Sequence, residues 1–356
     1  MKLWMGLLAV ASLATASCDS GKKDQVGKTG SAGTTTTSGG AVAISGSGST
    51  FQKAFQEVAM DAFIKSNGNV KITYGGGGSG KGRQDLADMV VDFAGTDSPF
   101  KDADKSKIKG GDVLYFPVLL GPIAVAYNVD GLSGKLQLSP DTIAKIFQGD
   151  IKKWNDPAIA ADNAGAKLPS DDIVVVHRAD GSGTTDNFTK FLDGASGGVW
   201  KLKSGSTVDW PKDTQAGQGN GGVAQAVKST KGAIGYVDLS DAKAAGLIYA
   251  NVKNQAGKFV EPTADTASAA GDGIDVKDDL TFSALNAKGD TSYPITYQSW
   301  VIVYAKQADP AKATALRDYL KFLLTDGQKQ LSSLDFAPLP KSLQDKAVAQ
   351  LSKIQG

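Results

Sequence analysis

From Ala41 to Phe63 the chain reads AVAISGSGSTFQKAFQEVAMDAF, and this stretch sets the architecture. Ala41 to Ile44 is a short apolar run suited to a buried strand, and Ser45-Gly46-Ser47-Gly48 breaks it. Phe51, Ala54, Phe55, Val58, Ala59, Ala62 and Phe63 then recur at helical spacing. The order is strand, tight loop, amphipathic helix. It returns immediately: Val70 to Tyr74 reads as a strand, Gly75 to Gly82 as a loop, Arg83 to Met89 as a short helix and Val90 to Ala94 as the next strand. Strands alternating with helices predict an α/β fold built of βαβ units, with a mostly parallel sheet.

Further along, Val113 to Tyr127 is apolar but interrupted by Pro117 and by Gly121-Pro122, which predicts two extended segments with a change of direction between them. The chain is expected to leave its first domain there. Ser139-Pro140 supplies an N-cap and a first-turn proline for a helix ending at Gly149. Ile173 to His177 reads as a buried strand, and Arg178 to Thr185 as a polar loop opening a helix that carries Phe188, Phe191 and Leu192. Ile234 to Val237 and Gln298 to Tyr304 are further strands, and Leu316 to Leu324 is a helix. A chain of 356 residues is long enough for two packed cores.

The charge balance and the start of the chain narrow the class. Lys plus Arg number 38 against 37 Asp plus Glu, so no broad positive field is present to hold nucleic acid or coat an anionic membrane. Any bound anion must be held by local groups. Lys2, the apolar stretch Leu3 to Ala14, and the small residues Thr15, Ala16 and Ser17 before Cys18 read as an export signal over residues 1–18, too short to span a bilayer comfortably. Cys18 is the only cysteine, which excludes an intramolecular disulfide, and its place behind the signal core points to lipidation. The competing reading is ordinary cleavage near Ala16, since Thr15 stands where such signals usually carry Leu. Residues 19–41, rich in Gly, Ser, Thr and Lys, read as a flexible tether.

Three strand-to-helix junctions are made of the same materials: Ser45 to Phe51, Gly75 to Gly82 around Ser79, and Asp180-Gly181-Ser182-Gly183-Thr184-Thr185. Glycines let backbone approach a ligand closely, hydroxyls offer donors, and each helix start aims free N–H groups at its loop. One such loop is more often an ordinary turn or cap; three in a nearly neutral chain point to an anion. Arg178 is the natural fixed charge, with Asp180 to hold it, although a surface Arg–Asp pair is the plainer alternative. Catalytic readings fare worse. Gly75 to Lys81 imitates a nucleotide-binding loop, but Gly82 stands where Ser or Thr must hold Mg²⁺. The only histidine is His177, there is no cysteine after Cys18 for a metal cluster, and no Gly-x-Ser-x-Gly elbow stands at a strand end.

At these loops the sequence resembles the periplasmic phosphate-binding proteins of bacterial ATP-driven phosphate uptake. The resemblance rests on Gly46 to Phe51, Tyr74 to Gly82, Val91 to Asp97 and Arg178 to Thr184, and continues through Ile151 to Trp154, Gly219-Asn220, Gly232 to Tyr236 and Tyr293 to Thr296. It implies phosphate contacts from Thr50, the Phe51 N–H, Ser79, Asp97, Arg178, Ser182, the Gly183 N–H and Thr184, with Asp180 orienting Arg178. His177 departs from the pattern, in a place often held by a second Arg, as do Gly77, Gly80 and Lys81. The resemblance further implies a two-domain periplasmic-binding-protein fold with a two-strand hinge: domain I over 42–119 plus 291–356, and domain II over 120–290. It implies a monomer without cofactor or metal that binds inorganic phosphate and passes it to inner-membrane permease subunits with their cytoplasmic ATPase, held in the periplasm by a lipid anchor. A sulfate-type receptor and an exported phosphatase on the same cradle are the alternatives.

Overall fold

In a computed structural model, which describes residues 41–132 and 134–356, the strand expected at the start of that stretch is β1, Val42–Gly48. The expected export signal, Cys18 and the expected tether up to residue 40 lie outside the described residues. The other strands are β2 Val70–Gly75, β3 Phe93–Thr96, β4 Val113–Asn128, β5 Gln137–Leu138 and β6 Val174–Arg178. They are followed by β7 Gln215–Gly217, β8 Ala233–Asp238, β9 Ile248–Tyr249, β10 Asn251–Lys253, β11 Phe259–Val260 and β12 Thr296–Tyr304. The main sheet runs β2-β1-β3-β12-β4-β8-β6-β7, with β9 beside β4, while β11-β10-β5 form a small separate sheet.

Parallel pairing occupies the two flanks of the main sheet, β2-β1-β3 on one side and β8-β6-β7 on the other. Between them β12 and β4 run antiparallel to their neighbours. β4 corrects the expectation of two segments. It is one continuous strand, pairing with β12 from Val113 to Pro122 and with β8 from Ile123 to Asn128. The prolines mark changes in pairing rather than a break. Pro117 pairs with Trp300 and Leu119 with Ser299, so Val118 is the extra residue of a bulge, and Pro122 sits where β4 changes partner.

The second βα unit also differs from its sequence reading. Its helix spans Ser79–Ala87 and so starts at Ser79 rather than Arg83. The strand begins only at Phe93, because Met89 adopts a left-handed φ of 59° and Met89 and Val90 are 60% and 67% exposed. An apolar run was a misleading signal here, since these residues form a turn. Asp92 fixes the strand start instead, accepting from the Ser45 N–H at 2.8 Å and pairing with Lys312 at 2.7 Å.

The first helix, Lys53–Ser66, buries Phe55, Ala59 and Phe63 as the spacing predicts. Just before it the ring of Phe51 stacks on Tyr297 with centroids 3.9 Å apart and meets Phe336 edge-on. In the other flank, Phe188 stacks on Tyr236 at 4.4 Å, and Trp154 is fully buried with its indole N–H donated to the Gly232 carbonyl. Aromatic packing therefore stiffens both sides of the central strands. Among the described residues no helix is long and apolar enough to cross a membrane.

Candidate anion-binding site

The three glycine-rich junctions meet at one place, each delivered by the end of a parallel strand. β1 enters its turn at Gly48, where φ is +129° and any Cβ would lie 2.2 Å from the Gly95 carbonyl, so only glycine fits. Ser49, just after this turn, donates to both oxygens of Asp97 at 2.7 and 2.8 Å and accepts from the Phe51 N–H at 3.1 Å. Ser79, the first residue of its helix, donates to the same carboxylate at 3.0 Å, and Ser299 of β12 does so at 2.5 Å. Asp97 is 2% exposed and takes its hydrogen bonds from three serine hydroxyls, not from backbone N–H groups. Burial pushes its pKa above the ordinary carboxylate value, against the pull of those hydroxyls and of Arg178.

Arg178 ends β6 with its side chain 1% exposed, paired to an Asp180 side chain that is 6% exposed. This is not a surface pair. Asp180 accepts from Nε at 2.8 Å and from Nη2 at 2.5 Å, while Nη1 donates to Thr184 at 3.2 Å and to the Asn220 carbonyl oxygen at 3.0 Å. Four of the five guanidinium N–H groups are thus engaged, and one on Nη2 is left for a ligand. Burial alone would raise Asp180, but the bonds and charge of Arg178 outweigh it and hold the carboxyl below its usual value. The same partnership raises Arg178 against its desolvation.

Ser182 caps the helix Gly183–Ala195 by accepting from the Thr185 N–H at 3.0 Å. The N–H groups of Gly183 and Thr184, in the first turn, have no intrahelical partner and form an anion-attracting pole. Gly183 comes so close to the first junction that a Cβ would stand 2.4 Å from Ser79 Oγ and 2.6 Å from the Asp97 Cβ. The structure therefore brings Ser79, Asp97, Gly183, Thr184 and Arg178 into one buried cluster. Thr50 joins it by accepting from the Asn220 N–H at 3.3 Å. Ser49, Ser299 and Asn220 also belong to this cluster; the resemblance passes through Ser49 and Asn220 without giving them a contact, and nothing local marks Ser299.

Backbone seals the cluster. The Gly80 N–H donates to the Gly181 carbonyl at 2.8 Å and a Cβ on Gly80 would stand 2.9 Å from that oxygen, which accounts for Gly80, while a Cβ on Gly78 would stand 2.1 Å from Asp180 Oδ2. Ser98 donates to Asp186 at 2.5 Å, and the Asn187 side chain donates to the Asp97 carbonyl at 2.8 Å. His177 faces elsewhere. Its ring stacks on Trp210 at 5.0 Å and its nitrogens meet the Arg178 carbonyl and Thr214, so no Ser–His–Asp pairing forms through it. Among the described residues no group of His, Cys, Asp or Glu could hold a metal ion.

A mainly parallel-flanked α/β sheet that gathers helix starts, a buried arginine and a buried carboxyl into one cluster is the build of a solute-binding protein. The match to the PBP superfamily domain covers residues 30–327. The chain is 36% identical to the phosphate-binding protein PstS of Pasteurella multocida over 86% of its own length and 89% of that protein's. It is 39% identical to PstS of Methanocaldococcus jannaschii, with 79% and 78% covered. Its identity to PstS 2 of Mycobacterium tuberculosis is 34%, with 98% and 97% covered. The chain belongs to the PstS phosphate-binding protein family of the PBP superfamily. The fold is shared with a high-affinity periplasmic phosphate-binding protein solved with phosphate bound, at a TM-score of 0.73, 23% identity and 87% and 94% coverage. It is likewise shared with the phosphate-binding protein of Stenotrophomonas maltophilia, at a TM-score of 0.71, 19% identity and the same coverage.

Proposed function

We propose that the protein binds inorganic phosphate between two domains and delivers it to a membrane permease driven by a cytoplasmic ATPase. The observation that carries this reading is the pairing of opposite demands in one buried cluster. Arg178 and the Gly183 helix start ask for negative charge, while the Asp97 carboxyl, 2% exposed, asks for a proton on the ligand. A protonated tetrahedral oxyanion meets both. Contacts are assigned to Thr50, the Phe51 N–H, Ser79, Asp97, Arg178, Ser182, the Gly183 N–H and Thr184, with Asp180 positioning Arg178. Calorimetric titration with phosphate, arsenate and sulfate tests the reading, with tight binding of the first two and weak binding of sulfate expected. Equal affinity for sulfate would favour a general oxyanion receptor.

The domains are proposed as 42–119 plus 291–356 and 120–290, hinged where β4 hands over from β12 to β8 between Pro122 and Ile123. Closure then depends on the glycine seam. Gly78→Ala places a methyl against Asp180 Oδ2 and the Gly181 carbonyl, at a backbone φ of +91° that costs a side chain about 1–3 kcal/mol. Phosphate affinity is expected to fall about tenfold. A variant that binds like the original in the same titration would show that the second loop does not seat against Asp180 around the anion.

For the N-terminal segment, the proposal is that Cys18 carries a lipid and residues 19–41 act as the tether. Cys18→Ser should move the protein from the membrane to the soluble fraction with phosphate affinity unchanged, as read by fractionation and calorimetry. An original protein already found entirely in the soluble fraction would refute the anchor.

A further inference from the structure

Asn220 is fully buried at the start of the helix Gly219–Ser229, and its two amide atoms have different fates. The carbonyl oxygen accepts from Arg178 Nη1 at 3.0 Å. The nitrogen, Nδ2, is buried with no hydrogen-bond partner among the described residues. The amide cannot be turned to exchange these roles, because Arg178 has no lone pair and can only donate to an oxygen. An orphaned buried donor costs about 1–3 kcal/mol, so its persistence inside a dense polar cluster points to a partner the protein itself does not supply.

Its position says what that partner is. The backbone N–H of Asn220 donates to Thr50 Oγ1, and the preceding Gly219 N–H donates to Asp180 Oδ1 at 3.0 Å. The residue therefore bridges Thr50 of the first junction and the Arg178–Asp180 pair of the third. A fourth helix N-terminus, in an eleven-residue helix, arrives at the same cluster. No carboxyl, hydroxyl or carbonyl oxygen of the cluster, those of Asp97, Asp180 and Thr184 included, lies within hydrogen-bond reach of Nδ2. An oxyanion is the acceptor the cluster lacks.

Resting on the phosphate reading, we infer that Asn220 is a further ligand of the bound anion, donating from Nδ2 to a phosphate oxygen while its carbonyl steadies Arg178. One side chain then reads the ligand and aligns the charge that holds it.

The test is made on the whole protein labelled with ¹⁵N. The side-chain amide signals that vanish in Asn220→Asp identify Nδ2. In the original protein they should shift on phosphate addition and show coupling to ³¹P at saturation. Asn220→Ala should weaken phosphate binding by about 10- to 100-fold, the scale of a hydrogen bond to a charged group together with a loosened Arg178. Side-chain signals that stay fixed at saturating phosphate, while the Gly183 backbone signal moves, overturn the inference and leave the phosphate reading intact. An Asn220→Ala affinity within twofold of the original does the same. If neither backbone signals nor calorimetric heat respond to phosphate, the phosphate reading itself fails and the inference falls with it.

Discussion

Arg178→Ala is expected to weaken phosphate binding by about 10-fold to a few hundred-fold, the loss of about 1.5–3 kcal/mol or somewhat more. The lower bound reflects one charged hydrogen bond to the anion from the remaining Nη2 hydrogen. The upper end reflects what the deletion leaves behind. Asp180 would lose both guanidinium bonds while buried, keeping only the Gly219 N–H, and the Asn220 carbonyl and Thr184 hydroxyl would lose a donor each. An unpaired carboxylate beside an anion repels it, so the double variant Arg178→Ala with Asp180→Ala should bind better than the single one. Titration calorimetry reads both. An Arg178→Ala affinity within twofold of the original would place the guanidinium outside the site.

Asp97→Asn is expected to keep phosphate binding, weakened or not, while discrimination against sulfate narrows. An ionised carboxylate only accepts hydrogen bonds, so it welcomes the O–H of phosphate and opposes a fully deprotonated sulfate. The amide keeps the shape and adds a donor that sulfate can use. Acidification should act in the same direction. Burial raises Asp97, so on lowering the pH it takes up its proton above the ordinary carboxylate value of about 3.9. The neutral acid can donate to sulfate, and selectivity fades in that window. Asp180 is shifted the opposite way, so the pair with Arg178 persists until the pH falls through its depressed value. Selectivity should therefore fail before affinity does. Titrating both proteins with both anions across pH checks this, and equal discrimination by Asp97→Asn and the original would exclude Asp97 as the selectivity element.

How much of this was legible depended on distance along the chain. β1, its loop and the helix after it could be read because period and glycine content change within a few residues, and the Arg178 to Thr184 junction could be read for the same reason. β4 was misread because proline inside an apolar run signals a break locally, whereas the sheet absorbs Pro117 at a bulge and uses Pro122 where the strand changes partner. Val90 and Val91 read as strand because β-branched composition outweighs a left-handed turn at Met89 that no local pattern announces. Ser299 was invisible as a site residue, since it reaches Asp97 from 202 positions away with no motif around it. Asn220 carries part of the resemblance as Gly219-Asn220, but only the tertiary fold shows that its amide is unpaired.

The contact between Gly80 and Gly181 is made by main chain against main chain, at 2.8 Å, with Gly183 pressed against Ser79 and Asp97 nearby. Backbone does not change rotamer, so this seam works as a fixed caliper on whatever lies between its jaws. In the closure proposed above, an anion of phosphate's diameter would let the jaws meet. An oxyanion well beyond the size of phosphate and arsenate, or a phosphate carrying an ester group on the wrong oxygen, would hold them apart and forfeit the Gly80–Gly181 hydrogen bond. On this proposal, size discrimination falls to Gly80 and Gly181, glycines that lie outside the assigned phosphate contacts.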